Sequence, residues 1–151
     1  MNENKLVIDL FANTETFANW VGSHRPDDVV GSATESCSCP VATFLKMNGV
    51  NNPNVSSARV ISTKSIINPD VFQSYSTTDT FYNVLPLWAA KFIIQVDAIF
   101  YEKYKEIFAV TGERITLNER ITLNERIAQL KKIRKVSAND AIIILSKILD
   151  N

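Results

Sequence analysis

Glycine and proline are scarce in this chain, four and five among 151 residues. An all-β sandwich spends many such residues on turns, so that architecture is disfavoured. Two cysteines, two positions apart, do not make the disulfide framework of a small secreted domain. One histidine leaves little material for acid–base chemistry near neutral pH. Neither charge sign is in excess: sixteen basic residues balance sixteen acidic ones, which removes a general pull toward nucleic acid or acidic membranes. The longest apolar stretch, Leu85 to Phe100, is broken by Lys91, Gln95 and Asp97, whereas a membrane span needs about 20 mostly apolar residues. No charged-then-apolar leader pattern opens the chain. Phosphate-cradling glycine loops, zinc-protease helices and nucleophile elbows are missing too. The expectation is a cytoplasmic, soluble protein with no cofactor, no metal and no membrane partner.

What is present is ordinary globular composition, 46% apolar and 21% charged, in one domain spanning residues 1–151. The most distinctive pattern is C-terminal. Arg120 to Ile133 is echoed fifteen residues later by Lys135 to Ile148. Asn124 matches Asn139, Ile127 matches Ile142, Leu130 matches Leu145, Lys132 matches Lys147 and Ile133 matches Ile148. Each unit opens with Thr or Ser and carries an acid three residues on, a helix capping box. Two short helices packed on each other are expected, with Ile142, Leu145, Ile148 and Leu149 of the second facing the core.

A second repeat sits inside the first. Glu113 to Asn118 is followed at once by the identical Glu119 to Asn124. Six residues turn a helix by roughly 240° net, so the copies cannot share a face. Leu123, Ile127, Leu130 and Ile133 form one stripe. Thr122 is therefore the expected helix start, with residues 113–121 a loop or an off-phase first turn. A tandem duplication, natural or engineered, accounts for the hexads without any function.

Upstream, Asn13 or Thr14 caps a helix over 14–23. Leu6 to Phe11 reads as strand or helical turn. Pro40 suits the first position of a helix that Asn48-Gly49 ends. Val50 to Ser57 reads as loop, and Ala58 to Ile67 as the one extended stretch. Asn68-Pro69-Asp70 and Thr77 to Asn83 read as further helical pieces. Ala89, Ile93, Val96, Phe100, Tyr104 and Ile107 hold one face of a helix from Pro86 to about Val110. Trp88, Phe92, Ile99 and Phe108 widen that face, and a stripe so broad needs cover on more than one side. The expected fold is mainly α: a small domain of six or seven helices with a long central helix, a C-terminal pair of short helices, and at most a minor β element near 58–67.

Three features carry functional weight. Cys39 would cap the helix opened by Pro40, where backbone N–H groups and the helix dipole lower a thiol pKa. Cys37 could resolve an oxidised Cys39, and His24 could pair with it across a loop. Together these give a thiol-dependent redox or transferase reading. The plainer reading, and the favoured one, is two small, reduced, partly buried cysteines packing the start of a helix. Second, Arg126, Lys131, Lys132, Arg134 and Lys135 form a cationic run without an acid, a weak lead to nucleic acid. Most such runs are solvated faces; Lys131, Lys132 and Lys135 share one arc. Third, Ile143 and Ile144 widen the apolar face of the last helix, so either the core wraps that flank or another protein, or a second copy of the chain, covers it. With no catalytic constellation, the leading expectation is a non-enzymatic binding or regulatory protein acting through a protein–protein surface.

Overall fold

The structure, a computed structural model, describes residues 3–67, 76–107 and 117–149. Two short helices open it, α1 (Glu3–Phe11) and α2 (Thr14–Gly22). Asn13 is the cap between them: its backbone is extended and its Oδ1 accepts the Thr16 N–H at 3.1 Å. Strand β1 (Val29–Ser32) leads to α3 (Pro40–Met47), which closes at Asn48 and Gly49, the glycine at φ +96°. Next come β2 (Asn54–Val55), β3 (Arg59–Ile67) and β4 (Ser76–Val84), then the long α4 (Leu87–Ile107). Helix α5 (Leu117–Arg134), strand β5 (Lys135–Ser137) and α6 (Ala138–Leu149) finish the described chain.

The mainly α expectation is corrected. Among the described residues, six helices stand beside five strands in two antiparallel sheets, an α/β mix. One sheet orders β2-β3-β4 and the other pairs β1 with β5. The chief error lies at Thr77 to Asn83. Threonine at 77 looks like a helix cap, but Ser76–Val84 is rich in Thr and aromatic residues that prefer a pleated surface. It runs the full length of β3, from Arg59 against Val84 to Ile67 against Ser76. A lone strand at 59–67 is unstable, and this is the partner it needed. Strands β1 and β5 are too short to show a period, and Ser137 pairs with Val29 from within the expected helix linker. The helix start expected at Asn68-Pro69-Asp70 lies outside the described residues.

The two C-terminal units also differ from expectation. The second box forms: Ser137 Oγ accepts the Asp140 N–H at 3.1 Å. The first does not, because α5 already runs through Thr122 from Leu117. Residues 117–121 are thus an off-phase extension of the helix, and 113–116 lie outside the described residues. Each helix packs on α4, and β5 joins them. On α5 Leu130 and Ile133 turn partly inward, while Ile127 is exposed. On α6 the core face is Ala138, Ala141, Ile144 and Leu145, and Ile142 points out.

The core gathers on Phe17 of α2. Its ring meets Phe44 of α3 edge-on at 5.3 Å, Phe92 of α4 at 5.1 Å and Trp88 of α4 at 5.5 Å. One side chain thereby joins three helices. Gly31 makes a second tight join. A Cβ there would stand 2.5 Å from Pro40 N and 2.7 Å from the Cys39 carbonyl carbon, so β1 and α3 can touch only through glycine. Phe17→Ala should destabilise the protein by about 3–5 kcal/mol in urea unfolding, through the cavity it leaves. Gly31→Ala should cost about 1–3 kcal/mol by the opposite route, overpacking against backbone.

Candidate functional site

Two concave places hold the residues singled out in the sequence. The first is a cleft of about 190 Å³ between the β1–α3 loop, β2 and α4, with Cys39, Asp97 and Thr34 among its walls. Cys39 is the cap of α3, as its position before Pro40 suggests, and its Sγ accepts the Ala42 N–H at 3.4 Å. The cap does not activate it. Burial pushes the thiol up to about 11, outweighing the backbone N–H groups of Ala42 and Val41. At neutral pH Cys39 is therefore a protonated, buried thiol rather than a nucleophile. Cys37 is exposed, and the two cysteines are not bonded to each other. His24 is not brought to either: its Nδ1 lies 2.7 Å from the Trp20 carbonyl oxygen and its ring stands edge-on to the Trp20 indole at 4.9 Å.

Asp97 is the residue in this cleft that sequence reasoning missed. It comes from α4 and accepts the Thr34 N–H at 2.9 Å. Burial raises its pKa and the Thr34 bond opposes that rise. Thr34 itself adopts φ +63°, a left-handed conformation costly for a β-branched residue, on the order of 1–3 kcal/mol. It is held from the other side by Arg134, whose Nη1 donates to Thr34 Oγ1 at 2.7 Å. The same guanidinium lies 5.0 Å over the Phe100 ring. Arg134 is thus a structural cation within the run that the sequence offered as a weak lead to nucleic acid. Lys131 and Lys132 remain exposed on α5.

The second place is a groove of about 90 Å³ between α4, the end of α5, β5 and α6. Phe100 and Ile144 line its apolar floor, with Ile133 beside them. Ile144 is 3% exposed and belongs to the core, whereas Ile143, also in the lining, is 45% exposed. The expected apolar flank of α6 is thus split, one isoleucine inward and one at the lip. Lys103 of α4, Lys135 of β5 and Lys147 of α6 line the same groove, with Asp140 as the acid among them. Lys135 was legible as a candidate. Lys103 and Lys147 were not, because nothing local in the sequence says that α4 and α6 lie side by side.

Among the described residues, no group of three or more His, Cys, Asp or Glu side chains is placed to hold a metal ion. No helix among them is long and apolar enough to cross a membrane. Comparison with protein-family models, characterised proteins and solved structures finds no match for the chain.

The state of the cleft can be read directly. Iodoacetamide at pH 8 should label the native protein once, at Cys37, and a second time only after unfolding. Because the folded thiol lies above its ordinary value of 9.0, the folded state keeps the proton longer than the unfolded chain. The stability that Cys39 contributes is complete below pH 9 and is lost as pH rises toward about 11. The stability difference between wild type and Cys39→Ala should therefore shrink across that window in urea titrations.

Proposed function

We propose that this chain is a non-enzymatic binding or regulatory protein, acting on another protein through the groove between α4, β5 and α6. The observation that carries this reading is the pairing of an apolar, recessed floor with a half-exposed isoleucine and lysines from three separate elements. Apolar concavities with a few placed charges are the ordinary form of a recognition site. The groove is large enough for one bulky apolar side chain, and the lysines favour acidic neighbours on the partner. Hot spots of interfaces are built this way, around a central anchor in a desolvated pocket.

The alternatives draw less support. A thiol enzyme at Cys39 needs a thiolate, and burial opposes one. Nucleic-acid binding through 126–135 loses Arg134 to Thr34 and Phe100, and Lys135 lines the groove, which leaves Arg126, Lys131 and Lys132 exposed on α5. The two unpaired thiols support a reducing, cytoplasmic setting.

The test is cross-linking mass spectrometry on tagged protein in its own cells. A partner should cross-link at Lys103, Lys135 or Lys147. It should be lost from Ile143→Asp, by about 30-fold if this contact is a hot spot worth about 2 kcal/mol. Recovery of the same cross-linked species from Ile143→Asp and from Lys135→Glu would overturn the assignment.

A further inference from the structure

The cleft beside Cys39 holds a charge that nothing among the described residues answers. Its floor is apolar, made by the buried Cys39, Val55 and Ile93. Asp97 stands in its wall, partly buried and one helical turn after Ile93. One carboxylate oxygen, Oδ1, accepts the Thr34 N–H, and the other has no partner among the described residues. Glu35 adds a second acid, exposed at the mouth. No lysine, arginine or histidine lines the cleft among the described residues. Arg134, the cation that approaches the same loop, spends its guanidinium on Thr34 Oγ1 and the Phe100 ring.

A carboxylate drawn out of water is ordinarily compensated by a cation or by several hydrogen bonds. Asp97 receives one backbone N–H, and burial still raises its pKa. An asparagine here would accept the same Thr34 bond without a charge to desolvate. The acid is also oriented at a cost, because Thr34 presents its N–H from φ +63°. An uncompensated charge and a strained backbone meet in one concavity, which is the usual setting of a ligand site.

We infer that this cleft binds a small organic ammonium, its charged head on Asp97 and its short apolar body over Val55 and Ile93. The lining sets the class. Two acids and no base select a cation, and the apolar floor selects a carbon-bearing one over a bare ion. Calcium is a poor fit, since it takes six to eight oxygen ligands. Among the described residues no group of three or more metal-binding side chains forms. A cavity of roughly 150 Å³ holds one benzene molecule. The cleft, at about 190 Å³, therefore takes an amine of about five to seven non-hydrogen atoms. The lysine groove is a separate place of opposite charge, so this inference does not rest on the function proposed for it.

The test is a titration of the full chain with n-butylammonium chloride in constant potassium chloride, followed by amide NMR. Saturable shifts should appear at Thr34, Glu35 and Ser57, with a dissociation constant on the order of 1 mM. The neutral n-butanol should bind at least tenfold more weakly, because it lacks the charge-assisted bond to Asp97. Asp97→Asn keeps the acceptor for Thr34 and should weaken butylammonium at least tenfold while leaving the melting temperature at or above the wild-type value. Glu35→Lys alters an exposed side chain, so it reports even where Asp97→Asn fails to fold. Its tethered ammonium at the mouth should weaken butylammonium about fivefold or more. Equal binding of butylammonium and butanol would overturn the inference. So would binding unchanged in Glu35→Lys or in folded Asp97→Asn, the absence of saturable shifts up to about 50 mM, or shifts confined to the groove residues Asp140 and Ile143.

Discussion

A helix that is apolar around most of its circumference must be covered from several sides, and α4 imposes that demand on this fold. Phe17 of α2 covers it near Trp88 and Phe92. Helices α5 and α6 cover it near Val96 and Phe100. Between Asn124 and Arg134 the apolar inward contribution of α5 is Leu130 and Ile133, with Ile127 exposed although it shares their stripe. Buried area, rather than helix propensity, holds such a helix in place. The groove beside Phe100 is the concavity left where that cover is thin.

A second constraint ties the two concave places together. Thr34 is held at a positive φ by Asp97 from α4 and by Arg134 from the end of α5. Ala33 N–H also donates to the Arg134 carbonyl at 2.7 Å. Three elements distant in sequence therefore meet at one strained residue, and the strain is offset by those bonds. The consequence differs on the two sides. Toward the cleft, the loop presses Cys39 and Asp97 into low-dielectric surroundings, which works against ionisation of both. Toward the groove, Arg134 fixes the Phe100 ring that forms the floor. The Thr34 loop thus borders the buried thiol on one side, and its hydrogen bond to Arg134 ties it to the floor of the groove on the other.

How much of this was legible in the sequence follows from the range of each signal. Local signals were read well: the Asn13 cap, Pro40 at the start of α3, Gly49 at its end, and the Ser137 box of α6 all depend on residues within one turn. The long α4 was legible because six turns of periodic residues outweigh noise. Strand β4 was not, since its Thr-rich sequence supports a cap as readily as a strand until β3 is placed beside it. Strands β1 and β5 were out of reach for the same reason. At the site, Cys39 sits at the expected cap, and of the two readings left open for it, burial favours the packed, reduced cysteine. Capping geometry is a local property, whereas burial is set by α4 and β2. Asp97, Lys103 and Lys147 were missed because each matters only through a neighbour far away in sequence.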